Sequence, residues 1–175
     1  MRRMMFSLYA LSLFLLSGCG QQANKIPNAT VMRISSTLQL PKETDIKSLS
    51  IASDGAVSLW MVPKNPDLTT QQILKWLNSA EPVSVKILYS NVTKPVITSV
   101  YIGPSILYIH LRNNESVKIS PACYIWETNT SLNHYLNGII SYQIQNHKIY
   151  YFKNPALYQW LKKDQWKPQF KIGSP

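Results

Sequence analysis

Residues 105–120, SILYIHLRNNESVKIS, decide the fold. The first seven (105–111) and the last five (116–120) are rich in β-branched and aromatic residues. Asn113-Asn114 between them is a turn signal, so the stretch reads as two antiparallel strands joined by a tight turn. The same rhythm runs outward on both sides. Upstream lie VSVKILYS (83–90), with Val83, Val85, Ile87 and Tyr89 on one face, and VITSVYI (96–102), closed by Gly103-Pro104. Downstream, Pro121 interrupts, CYIWET (123–128) resumes, the polar NTSLNHYLNG reads as a loop, and IISYQIQ (139–145) turns at Asn146-His147 into KIYYF (148–152). Short strands with turn signals every ~8–12 residues make a meander.

Two segments have the helical period instead. In DLTTQQILKWLNSAEP, Thr69 and Gln72 match a capping box, which predicts a helix over about 70–80. Ile73, Leu74 and Leu77 form its apolar stripe, Trp76 and Ala80 the edge, and Pro82 the stop. In NPALYQWLKKDQWKPQF, Asn154 is a good N-cap and Pro155 occupies the first helical position. A helix over 155–163 then buries Ala156, Leu157, Trp160 and Leu161. Before the first helix, IKSLSI (46–51), the Asp54-Gly55 hairpin signal and AVSLWMV (56–62) predict a strand pair. The expectation is therefore an α+β domain: an antiparallel meander sheet of about eight short strands, with both helices packed on one face. No sequence repeat is visible, although a strand pair followed by a helix occurs at both ends of the domain.

The N-terminus has a different grammar. Arg2 and Arg3 precede an almost wholly apolar run, Met4–Leu16, followed by Ser17, Gly18 and Cys19. A charged start, a short apolar run and small residues make an export signal. The run is shorter than the ~20 residues that span a bilayer. Leu16-Ser17-Gly18-Cys19 resembles the lipobox of bacterial lipoproteins. The resemblance implies a diacylglyceryl group on the Cys19 thiol, cleavage between Gly18 and Cys19, and an acylated new amine. Two or three acyl chains, at about 0.8 kcal/mol per buried methylene, would hold the protein on the membrane stably. The expected organisation is a cleaved signal peptide (1–18), a lipidated Cys19 with a flexible tether (19–45), and one ectodomain (46–175). The expected location is the extracytoplasmic face of the cell membrane. The closing segment Tyr151, Phe152, Asn154, Pro155, Leu157, Trp160, Leu161 is similar to that of small lipoproteins of Gram-positive bacteria, a likeness of element pattern that brings no activity with it.

The 175 residues carry a formal charge of +10; loss of 1–18 removes Arg2 and Arg3 and leaves 157 residues at +8. That is enough chain for one domain with a core, and a basic ectodomain is attracted to anionic lipid or wall polymer. An exported lipoprotein is not expected to bind nucleic acid. With Cys19 acylated, no disulfide within the chain is expected, and Cys123 reads as a small buried hydrophobe. The Asn-x-Ser/Thr sites at Asn28, Asn91, Asn114 and Asn129 read as polar turns.

Motifs for catalysis are missing: there is no G-x-S-x-G, S-x-x-K or H-E-x-x-H. His110, His134 and His147 lie in separate elements without metal-ligand spacing. Among the acids only Glu127 has an apolar setting, and it is the one candidate for an envelope enzyme acting on wall polymer. No cofactor or metal is expected. The remaining enrichment is aromatic. Of the aromatics on predicted strands, Tyr108, Tyr124, Trp126, Tyr142 and Tyr150 are the candidate binding face, able to stack sugars or grip a protein; core packing is the competing role. The lysines 162, 163, 167 and 171, interleaved with Trp160 and Trp166, read as a solvated surface. The expected function is thus a non-enzymatic binding domain at the membrane–wall boundary, its partner a protein or an anionic wall polymer. A carbohydrate-binding module on the tyrosine face is an alternative.

Overall fold

The computed structural model describes residues 29–33, 38, 40–52, 59–87, 105–126, 132–145 and 148–175. Among them nine strands form a single antiparallel sheet. In chain order they are β1 (Ala29–Arg33), β2 (Ile46–Ala52), β3 (Trp60–Pro63), β4 (Glu81–Ile87), β5 (Ile106–Leu111), β6 (Ser116–Trp126), β7 (Leu132–Ile144), β8 (Ile149–Lys153) and β9 (Phe170–Ile172). In space the order is β1-β4-β8-β7-β6-β5-β2-β3-β9. Helix α1 (Pro66–Asn78) follows β3, and α2 (Pro155–Lys162) follows β8. The α+β meander read from the sequence is the fold.

The central strands alternate cleanly, as a sheet with one helix-covered face must. Leu49 and Ile51 of β2, Leu107 and Ile109 of β5, Val117 and Ile119 of β6, Ile140 and Tyr142 of β7 and Phe152 of β8 point to the helices. There they meet Ile73, Leu74 and Leu77 of α1 and Leu157, Trp160 and Leu161 of α2 in one buried core. An aromatic chain ties the layer together: Trp76 packs on Trp160 (centroids 5.4 Å), Trp160 on Phe170 (5.9 Å) and Phe170 on Trp166 (5.7 Å). A smaller apolar cluster of Val83, Ala122 and Ile139, with Tyr151 against it, lies apart from this core.

Several boundaries differ from the sequence reading. Helix α1 begins four residues earlier than the Thr69 capping box predicts. Its N-cap is Asn65, whose side chain accepts the Leu68 N–H, and Pro66 follows it. Thr69 lies inside the first turn, its hydroxyl donating to the Asn65 carbonyl at 2.8 Å. Part of the segment read as tether, Ala29–Arg33, is strand β1, paired with β4 from Ala29↔Ile87 to Arg33↔Val83. The polar run before 139 is also strand from Leu132 onward. Its register against β6 breaks between Pro121↔Ile140 and Cys123↔Tyr135, so four residues of β7 face the single residue Ala122. The 96–102 strand and the Asp54-Gly55 turn lie outside the described residues.

Gly138 sits in that bulge with φ +73°, a backbone that favours glycine. Its carbonyl accepts the Asn154 N–H at 2.8 Å. Asn154, 4 % exposed, caps α2 by accepting the Leu157 N–H at 2.9 Å, while its side-chain amide donates to the Trp76 carbonyl at 2.5 Å, near the end of α1. At the other end of α2 the chain turns through Asp164 (φ 54°). The Gln165 N–H bonds the Trp160 carbonyl at 3.0 Å and the Asp164 N–H bonds Leu161 at 3.3 Å, a Schellman closure. The Asp164 carboxylate accepts from the buried Ser105 hydroxyl (3.1 Å) and from Lys167 (2.7 Å).

Two stability experiments follow. Asn154→Ala removes a helix cap, worth ~0.5–2 kcal/mol, and a net hydrogen bond, worth ~0.5–1.5 kcal/mol. Urea unfolding should show a loss of about 1–3 kcal/mol, and an unchanged midpoint would mean the α1–α2 clamp is not structural. Burial alone would raise the Asp164 pKa, but its bonds from Lys167 and Ser105 outweigh that and hold it below the usual carboxylate value. A depressed folded pKa gives stability that is present above the unfolded value and lost as pH falls through the folded one. Acidification below about pH 4 should therefore weaken the domain. Asp164→Asn, which keeps a side chain tolerant of positive φ, should flatten that acid limb.

Candidate functional site

The parity that sends Leu107 and Ile109 to the helices sends Tyr108 and His110 to the other face. The register brings partners to them: Ser50 lies opposite Tyr108 and Ser48 opposite His110 on β2, while Lys118 and Ser116 take those places on β6. Ala52 pairs with Trp60, which puts the Trp60 ring beside them. Trp60 meets Tyr108 edge-on (centroids 5.0 Å, interplanar 67°), and Tyr108 lies nearly parallel to His110 (6.2 Å, 11°). The His110 and Trp60 centroids are 6.3 Å apart. Lys118 Nζ stands 5.9 Å from the Tyr108 ring centre, at the outer range of a cation–π contact. All four side chains are partly exposed. The result is a short ladder of three rings flanked by lysine.

Hydroxyls underlie the ladder. Ser50, fully buried, has its Oγ 2.8 Å from His110 Nε2. On the neighbouring strands Ser120 and Ser141 hydroxyls are 2.8 Å apart. Burial lowers the His110 pKa, with the charge of Lys47 adding to it, so the imidazole is neutral at physiological pH. Burial also raises the Tyr108 pKa. The ladder therefore offers uncharged rings and donors, with Lys118 as the nearby cation.

A serine within hydrogen-bond reach of a neutral histidine is the pattern of an activated nucleophile. Ser50 is 0 % exposed, however, so no substrate carbonyl can approach its Oγ. The bond instead satisfies a buried hydroxyl and fixes the His110 ring. Among the described residues no group of three or more His, Cys, Asp or Glu could hold a metal ion, and no helix is long and apolar enough to cross a membrane.

The five aromatics predicted to share a binding face do not share one. Tyr108 is on the ladder. Tyr142 is 0 % exposed and points into the helix-covered core, and its cross-strand neighbour Tyr150 packs against that core too. Tyr124 is 5 % exposed and stacks on His134 (5.3 Å, 19°). Trp126 ends β6 opposite Leu132, and its side chain lies outside the described residues, as do Cys19, Glu127 and His147. Sequence reasoning missed Trp60 and Ser50. Both sit in runs correctly read as strand, but only the cross-strand register reveals that they meet Tyr108 and His110. Cys123 is half-buried, its thiol pKa pushed up by burial and only partly drawn back by Lys162, as suits a packing role rather than a reactive thiol. Lys162 itself stands 4.1 Å from the Tyr135 ring centre and donates to the Tyr158 hydroxyl at 3.0 Å.

No protein-family model, no curated protein and no solved structure matches the chain.

Proposed function

We propose that this chain is a lipoprotein anchored through Cys19 to the extracytoplasmic face of a bacterial membrane, and that its domain is a non-enzymatic binding module for an anionic wall polymer. The order Leu16-Ser17-Gly18-Cys19 after a short apolar run supports the anchor. The Trp60–Tyr108–His110 ladder is the observation that carries the binding reading. Ring faces stack on the apolar faces of sugars. Serine hydroxyls and a neutral imidazole match sugar hydroxyls, and Lys118 answers a phosphate or carboxylate. The overall basic charge adds long-range attraction.

Metabolic labelling with an alkyne palmitate tests the anchor. The wild-type chain should take up label and Cys19→Ser should not; a labelled Cys19→Ser protein would refute lipidation at this residue. For the ladder, the full chain in lipid nanodiscs is sedimented with purified cell walls at low and high salt. Stacking survives salt, whereas simple charge attraction is screened. Binding should persist at high salt and fall by roughly thirtyfold or more in Trp60→Ala/Tyr108→Ala, the loss of about 2 kcal/mol typical of aromatic hot spots. Binding that vanishes in salt would leave the net charge as the whole cause. A chain that ignores walls but retains a membrane protein would shift the reading to a protein partner.

A further inference from the structure

An open sheet has two edges, and each leaves a row of backbone N–H and C=O groups without strand partners. Among the described residues those edges are β1 and β9. Two features of β9 discourage pairing: it is three residues long, and exposed Lys171 stands at its centre. β1 has neither. Its five residues, ATVMR, include no Lys and no Pro. Its one charge, Arg33, is drawn onto its own neighbour by an ion pair with Glu81 of β4 at 2.9 Å. Val31 and Met32 are 40 % and 49 % exposed. Val31 also ends an apolar row. It lies opposite Val85, which packs against the small cluster of Val83, Ala122 and Ile139.

That row and the open backbone edge are both continued by β1 of a second copy. In an antiparallel pair, opposite residues point to the same face. A two-fold self-pairing therefore sets one residue opposite its own copy. Centred on Val31 it uses all five residues: Val31 meets the partner's Val31, Thr30 meets the partner's Met32, and Ala29 meets the partner's Arg33. No like charges face each other. One short strand pair buries far less than the ~1,200–2,000 Å² of a stable interface, so free copies separate. Copies held by lipid in one membrane meet at a high effective concentration. We propose that β1 is a homotypic edge that joins two membrane-held copies of this chain into one continuous sheet. The pairing rests on the Cys19 anchor.

Disulfide capture in membranes of expressing cells tests it, in a Cys123→Ser background and with alkyne-palmitate labelling of the same samples. Directly opposite Cα atoms are ~4.5–5.5 Å apart, inside the ~4.4–6.8 Å range of a disulfide. Val31→Cys should therefore give an oxidised dimer. Thr30→Cys and Met32→Cys should not when expressed singly, because each stands two residues along the strand from its own copy, beyond ~7 Å. Co-expressed, those two variants should crosslink to each other. The Cys123→Ser parent should stay monomeric. Adding Val31→Lys to the co-expressed pair sets two lysines face to face and should abolish the crosslink. A labelled chain in which Val31→Cys does not crosslink would overturn the pairing and leave the anchor standing. Equal crosslinking of all three single variants would overturn it as random collision. A chain neither labelled nor crosslinked would overturn the pairing and the anchor together.

Discussion

Asn154 joins three parts of the molecule through four hydrogen bonds. Its N–H reaches the Gly138 carbonyl in the β7 bulge, its side-chain oxygen caps α2, its side-chain amide holds the Trp76 carbonyl, and its own carbonyl accepts the Tyr158 N–H at 3.0 Å. Each neighbour is shaped by that junction. The left-handed backbone of Gly138 aims its carbonyl at Asn154, and a Cβ at Gly138 would come within 3.4 Å of Pro155. The bulge that holds Gly138 is why β6 and β7 shift register. The position of α2 in turn sets where Trp160 meets Trp76, and through Phe170 where β9 is laid down. A helix that started one residue earlier or later would break this chain of contacts.

The junction also exposes an internal symmetry. Hairpin β2–β3 leads into α1 and then β4; hairpin β7–β8 leads into α2 and then β9. The closing strand of each unit pairs with the hairpin of the other: β4 lies on β8, and β9 on β3. Spatial order is thus mirrored about the β5–β6 pair. Against the expectation of no sequence repeat, Lys-Asn-Pro-x-Leu introduces both helices, at 64–68 and at 153–157, with Asn as N-cap each time. The Trp-Leu pairs 76–77 and 160–161 bring the helices into contact. The two caps have diverged in their surroundings. Asn65 is exposed, while Asn154 is buried and has acquired the interhelical bond. Exchanging closing strands makes neither unit self-sufficient, so the sheet forms as one cooperative layer.

Those features explain what was legible in the residues. The strand alternation, both apolar helical stripes and the Asn154-Pro155 start are local patterns, and each corresponds to an element of the structure. The α1 start was hidden because Pro66 also reads as a strand terminator, and the Thr69/Gln72 spacing mimicked a cap one turn too late; the Lys-Asn-Pro parallel would have resolved it. Strand β1 was hidden because five residues on a sheet edge need no strong pattern when β4 supplies the hydrogen bonds. The division of the strand tyrosines between the two sheet faces was the least legible part. Tyr108 and Tyr142 are both strand tyrosines in apolar runs, and their opposite destinies depend on a parity relation between β5 and β7 that no single segment contains.

That division of tyrosines has a physical logic. The helix-covered face takes nearly all the burial, so the domain's stability rests there, and even an unpartnered Tyr142 hydroxyl is tolerated within it. The opposite face contributes less apolar area around Tyr108 and is instead organised by short polar bonds, Ser50 to His110 and Ser120 to Ser141. Such bonds are worth about 1 kcal/mol each in net stability, and the one from Ser50 also fixes the orientation of the His110 ring, which apolar packing alone would leave free to rotate. A face held by directional bonds and bearing partly exposed rings is rigid, because much of its side-chain entropy has already been lost on folding. The same reasoning gives Ser50 a positioning role on this face: its hydroxyl sets the His110 ring, and that ring completes the stack with Tyr108 and Trp60.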